Sequence, residues 1–146
     1  METVLDVLHG KAQRPPVTTS PDASVLEATR LMNRERIGSL LVIRAGRLVG
    51  IFTERDVLER VVVEMRSPAL TAVGEVMTDA VVCCKPSTPV EEVGDLMHHR
   101  RIRHVPVVDA DGTVMGLVSI GDLNAHRFNN CEVALHQVED YIYRRA

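Results

Sequence analysis

Apolar positions recur along this chain with two different periods, and the alternation between them is written twice. Val25, Ala28, Leu31 and Met32 fall at the three- and four-residue spacings of one helix face, and Val90, Val93, Leu96 and Met97 repeat them. Each helix pattern leads into two β-branched-rich runs joined by a Gly-containing turn, "LLVIRAGRLVGIF" and "VPVVDADGTVMGLVS", which predict hairpins. A short strand is predicted ahead of each helix, at "PVTTS" (16–20) and "AVVCC" (80–84). Helix starts are expected at Ser24 or Asp22 and at Ser87 or Thr88, and a last helix in each half opens at Thr53 or Ser119 as "ERDVLERVVVEM" or "IGDLNAHRF".

The two halves align in register. Pro21 falls on Pro86, Ile37 on Ile102, the strand "LLVI" on "VPVV" and Gly46 on Gly112, with one extra residue at Asp111. That insertion sits where a hairpin turn tolerates it; within a strand it would turn every following side chain to the other face. The expected organisation is an N-terminal helical arm (1–13, "TVLDVLHG" closing at Gly10), a first repeat (14–66), a linker with one short helix plus a second repeat (67–126), and a C-terminal amphipathic helix (127–146). The last helix carries Cys131, Ala134, Leu135, Val138, Tyr141 and Ile142 on one face, which either covers the globule or forms part of a dimer seam.

Composition narrows this picture. The 146 residues suffice for one shared core, and with no Trp, two Phe and two Tyr that core is aliphatic. A net charge of -3 argues against a general nucleic-acid footprint. The N-terminal stretch has acidic residues among its apolar ones and does not resemble a secretory signal, and no stretch is apolar enough to span a membrane. Three cysteines, with Cys83 and Cys84 adjacent, make a poor disulfide framework and a poor zinc half-site; they suit a reducing, cytoplasmic setting.

The chemistry-bearing feature is the repeated "VGIFTERD" and "MGLVSIGD", a glycine, two apolar residues, a hydroxyl residue and, three residues later, an aspartate. At a strand-to-helix junction the glycine permits close approach, the hydroxyl stands where free N–H groups and the helix dipole attract an anion, and the aspartate lies about one turn further on. Phosphate plus a vicinal diol fits that layout, a carboxylate being the group that reads ribose in dinucleotide folds. The plainer alternative is that Thr53 and Ser119 are helix caps and the aspartates complement the dipole.

Residues 14–126 resemble a tandem pair of cystathionine-β-synthase (CBS) domains, a Bateman module of the small stand-alone bacterial type, on the strength of "IGSLLVI…GRLVGIFTERD" and "IRHVPVVDADGTVMGLVSIGD" together. The resemblance implies an α/β (α+β) fold of two β-α-β-β-α repeats packed sheet to sheet about a pseudo-twofold axis, plus terminal helices. It also implies two clefts for adenosine-containing effectors (AMP, ADP, ATP or S-adenosylmethionine), with no cofactor required. The hydroxyl would contact phosphate and the aspartate ribose, while the first short strands, at Val17 and Val82, would line the adenine slot. Each cleft would also borrow the loop before the second strand of the opposite repeat. On that basis Gly50, Thr53 and Asp56 would face Arg103, His104 and Pro106, and Gly116, Ser119 and Asp122 would face Gly38 and Ser39. Two cations at the first site, each adding roughly 1.5–3 kcal/mol through a charged hydrogen bond, would draw phosphorylated ligands there; Gly38 and Ser39, facing the second site, offer backbone and a hydroxyl but no charge.

Other chemistry is thinner. "MHHRRIRH" reads as a helix end whose cations complement the dipole, with neighbouring histidines pointing apart, rather than as a metal or nucleic-acid site. Neither a phosphate loop, a dinucleotide fingerprint nor an "HExxH" pair is present. The resulting expectation is a non-enzymatic adenosine-nucleotide sensor acting through a homodimer or a protein partner, away from membrane and nucleic acid. A structural interaction module with vestigial clefts is the alternative.

Overall fold

The computed structural model describes residues 1–11 and 15–131. Its contacts divide into two compact units: residues 15–83 with 108–116, and residues 1–11, 84–107 and 117–131. The C-terminal helix face expected beyond residue 131 lies outside the described residues.

In the first unit, β1 (Thr18–Thr19) runs parallel to β2 (Ser39–Arg44), and β2 pairs antiparallel with β3 (Arg47–Thr53). Ala45 and Gly46 both have positive φ (50° and 76°), the two-residue turn that matches strand twist. The helix between β1 and β2, α2 (Val25–Glu35), begins at Ser24, whose Oγ accepts from Glu27 N at 3.0 Å while Glu27 reaches back to Ser24 N. That reciprocal box satisfies two of the N–H groups a helix start leaves unpaired. Val25, Ala28 and Met32 pack with Leu40, Val42 and Phe52 of the sheet, closing a core that is aliphatic apart from the fully buried Phe52 ring.

In the second repeat, α5 (Val90–Arg100) precedes β4 (His104–Val108) and β5 (Val114–Ser119), which pair as a two-stranded sheet. Val90, Val93 and Met97 pack with Val105, Val107, Val118 and Leu123, so the aligned apolar positions do the same work in both copies. The extra residue is absorbed in the hairpin turn: Asp109 Oδ1 accepts from Asp111 N and Thr113 N, and Gly112 takes φ 79°. Both α2 and α5 end in a left-handed arginine, Arg36 or Arg101, after which Ile37 N or Ile102 N bonds back to Met32 O or Met97 O.

Four expectations are corrected. "AVVCC" forms no strand: only Cys84 bridges Val107, its N–H donating to Pro106 O at 2.9 Å. Neither Ser87 nor Thr88 caps α5; its N-cap is Pro89, and Thr88 Oγ1 accepts from Lys85 N instead. The chain supplies Glu2 O for Val90 N in place of a side chain. The helix after Thr53 is one α-turn, α3 (Glu54–Asp56), that widens into a π-helix, Val57–Val62. The widened segment carries Arg60, which donates to Val76 O and Met77 O at the C-terminal end of α4 (Val73–Val76). Finally, His98 and His99 do not diverge: their rings meet edge to face, centroids 5.7 Å apart.

The repeat also contains an element that the alignment of 14–126 leaves out. α4 sits on the first repeat through Val73 N to Ala23 O, Gly74 N to Pro21 O and Val25 N to Thr71 O. α1 (Val4–Gly10) sits on the second through Val4 N to Thr88 O, Leu5 N to Pro86 O and Val90 N to Glu2 O. Even the carboxylates correspond, Glu75 accepting from Ala72 N and Asp6 from Thr3 N. The linker helix therefore packs with residues 15–66 and the N-terminal arm with the second repeat.

Candidate functional site: two capped strand-to-helix turns

Both signatures form the same local structure. Thr53 is the N-cap of α3, extended at φ -126° and ψ 166°. Asp56 Oδ2 accepts from Thr53 N at 2.9 Å and Thr53 Oγ1 at 3.3 Å, and Asp56 N donates to Thr53 Oγ1 at 3.4 Å. In the second copy Ser119 N donates to Asp122 Oδ2 at 2.8 Å and Asp122 N to Ser119 Oγ at 3.1 Å, where β5 passes into the helix followed through residues 120–131. The hydroxyl and carboxylate are thus a capping box with aspartate at its third position, the plainer of the two alternatives in geometry. A carboxylate offers about four lone-pair positions, so this use leaves acceptor capacity for a ligand.

The two carboxylates differ in what else they touch. Asp56 is only 5 % exposed; Thr78 Oγ1 donates to its Oδ1 at 3.4 Å and Arg60 Nε lies 3.7 Å away. Asp122 keeps 21 % of its side chain exposed and receives Lys11 Nζ on Oδ2 at 2.7 Å. The same ammonium donates to Leu117 O at 2.8 Å. Leu117 aligns with Ile51, whose carbonyl accepts from Thr78 N at 2.9 Å, so the segment after α1 and the segment after α4 occupy matching places with different chemistry. Lys11 brings a cation to the second signature from the segment after α1.

Other expected residues are positioned as follows. Ser39 pairs with Thr53 across the sheet and Gly38 O accepts from Glu54 N at 3.1 Å, so both adjoin the signature of their own repeat. Arg103 O likewise accepts from Ile120 N at 2.9 Å within the second repeat, and His104 opens β4 half-buried. Pro106 is buried in β4, Val17 O accepts from Leu41 N, and Val82 is half-buried outside any strand. Gly116 is buried in β5. Gly50 has a packing reason: a Cβ there would stand 2.5 Å from Met77 Sδ and 3.0 Å from Thr78 O. Lys11, Arg60, Met77 and Thr78 were not foreseen from sequence; the likeness of "TVLDV" (3–7) to "AVGEV" (72–76) is the signal that leads to the segments holding Lys11, Met77 and Thr78.

Among the described residues no group of three or more His, Cys, Asp or Glu could hold a metal, and no helix is long and apolar enough to cross a membrane. Among the described residues Cys83 and Cys131 are exposed and Cys84 is buried.

The family described as "CBS domain" matches residues 4–63 and 73–127. Among curated relatives, the mitochondrial CBS domain-containing protein CBSX3 of Arabidopsis thaliana is 36% identical over 129 residues, covering 83% of this chain and 62% of that protein. YhcV of Bacillus subtilis is 34% identical over 113 residues, 77% of this chain and 79% of its own. This chain therefore spans less than two thirds of the first relative and more of the second. Among solved structures, the CBS-domain containing protein ATU1752 of Agrobacterium tumefaciens superposes with a TM-score of 0.80 at 35% identity, covering 86% of this chain and 99% of that one. The CBS domain pair of MJ0100, solved with 5′-methylthioadenosine and S-adenosyl-L-methionine, has a TM-score of 0.77 at 27% identity (89% and 98% covered). CBSX2, solved with AMP, has a TM-score of 0.74 at 25% identity (88% and 98% covered). Two capped strand-to-helix turns, an aliphatic repeat in register and a family match over most of the sequence lead to one conclusion: this chain belongs to the CBS-domain family, as a tandem pair.

Proposed function

We propose that the chain is an adenosine-nucleotide sensor in which the turns Gly50–Thr53–Asp56 and Gly116–Ser119–Asp122 each hold an adenosine-containing effector such as AMP, ADP, ATP or S-adenosylmethionine. In this reading the helix-start N–H groups and the hydroxyl take the phosphate, or the group in its place, and the aspartate accepts from the ribose hydroxyls. The observation that carries the reading is the repetition of one hydroxyl-carboxylate turn at both strand-to-helix junctions. Complexes of similar CBS pairs with AMP and with S-adenosylmethionine support the ligand class. The module regulates rather than catalyses, and its output runs through self-association or a protein partner. An effector moves that equilibrium only by binding one arrangement better than another.

A thermal-shift panel of AMP, ADP, ATP, S-adenosylmethionine and NADH tests the reading. A ligand at a hundredfold its dissociation constant stabilises by about 2.7 kcal/mol. Light scattering with and without AMP then reads the change in assembly. The second reading, a structural interaction module, draws on the burial of Asp56 and the internal use of its carboxylate. No shift with any member of the panel establishes that reading instead.

A further inference from the structure

The two signatures differ most at one atom, the Lys11 ammonium. It donates to Asp122 Oδ2 at 2.7 Å and to Leu117 O at 2.8 Å, using two of its three N–H groups, and 36 % of the side chain remains exposed. Among the described residues the hydrogen bonds to the Asp122 carboxylate all fall on Oδ2, from Lys11 Nζ and Ser119 N, leaving Oδ1 as acceptor. The pair thus presents one donor beside one acceptor at a helix start. Thr78, which holds the matching place beside Asp56, brings a hydroxyl and no charge, the cation near that carboxylate being Arg60 from its own helix, with Nε 3.7 Å away.

Charge follows from this directly. A bare aspartate would leave the second signature's carboxylate at -1, favouring a cationic ligand; with Lys11 bound to it the pair sums to zero and the helix-start N–H groups set the sign of the local field. We infer that Lys11 is the specificity-determining residue of the second signature, selecting phosphorylated adenosine ligands over the sulfonium cation of S-adenosylmethionine. The inference rests on the reading of Asp122 as the ribose acceptor. It does not depend on where the ligand's 5′ substituent lies, because removing a positive charge weakens every nearby anion and strengthens every nearby cation. A diol suits the neutral pair equally well, one hydroxyl donating to Oδ1 and the other accepting from the free N–H.

Isothermal titration of AMP, 5′-methylthioadenosine and S-adenosylmethionine into the full chain and its Lys11→Met, Lys11→Arg and Asp122→Ala variants tests the inference. The component of each isotherm lost in Asp122→Ala reports the second signature. In Lys11→Met the ratio of AMP to S-adenosylmethionine affinity at that component is expected to fall by about tenfold, as for the loss of a charge partner in a half-exposed site. The neutral 5′-methylthioadenosine should change least, and Lys11→Arg should restore the wild-type ratio. Thermal melts of the free variants show whether any loss comes from unfolding. Equal changes for the anion and the cation, or none, overturn the role of Lys11 while leaving the ribose reading intact. If Asp122→Ala removes no component for any of the three ligands, the ribose reading falls and the role of Lys11 falls with it.

Discussion

Replacing Gly50 by alanine distinguishes a glycine kept for a ligand from one kept for packing. The added Cβ would lie 2.5 Å from Met77 Sδ and 3.0 Å from Thr78 O, both closer than carbon normally approaches. Met77 can swing aside, but Thr78 O cannot: Ile51 N donates to it and Thr78 N donates to Ile51 O, each at 2.9 Å, in a two-bond bridge next to the substituted residue. Overpacking of this kind costs about 1–3 kcal/mol, while the entropy a strand glycine loses on folding returns roughly 0.5–1 kcal/mol. The expected net is a destabilisation of about 1–2 kcal/mol, or a melting temperature lower by roughly 3–8 °C for a chain of this size. Urea unfolding of Gly50→Ala, Met77→Ala and the double variant measures it. A smaller side chain at 77 relieves part of the clash, so the double variant should be more stable than the sum of the single effects by about 1 kcal/mol. A Gly50→Ala protein within 0.5 kcal/mol of wild type, with no coupling to position 77, would refute the packing argument and return the glycine to ligand approach.

The other predictions concern helix starts. Ser24→Ala removes the acceptor of Glu27 N and frees half of a reciprocal box, and should lower stability by about 1 kcal/mol in thermal denaturation; Ser24→Gly should cost only a few tenths. The Asp6 carboxyl is held below its ordinary value of 3.8, chiefly by the Thr3 backbone N–H, with the Thr3 hydroxyl, His126 and His9 adding to it. A lowered folded-state pKa contributes stability that is complete above 3.8 and fades as the pH falls through the folded-state value. Wild type should therefore exceed Asp6→Asn in stability at neutral pH, and acid titration of the two melting temperatures should show the gap closing below 3.8.

Periodicity, turn chemistry and internal repetition were sufficient to read the two helix-hairpin units, because each depends on neighbours a few residues apart. Ser24, the Ala45–Gly46 turn and the inserted Asp111 are decisions of that range. The signature aspartates were legible too, since a capping box closes over three residues. What surrounds them was not. Lys11 and Asp122 are 111 positions apart and Asp56 and Thr78 are 22 apart, so only the docking of α1 and α4 onto opposite repeats brings each pair together. The same docking explains why Pro89 starts a helix without a side-chain cap: a carbonyl from residue 2 stands in for one. Local pattern determined where the two polar turns lie; long-range backbone hydrogen bonds decided that one of them carries a lysine and the other a threonine.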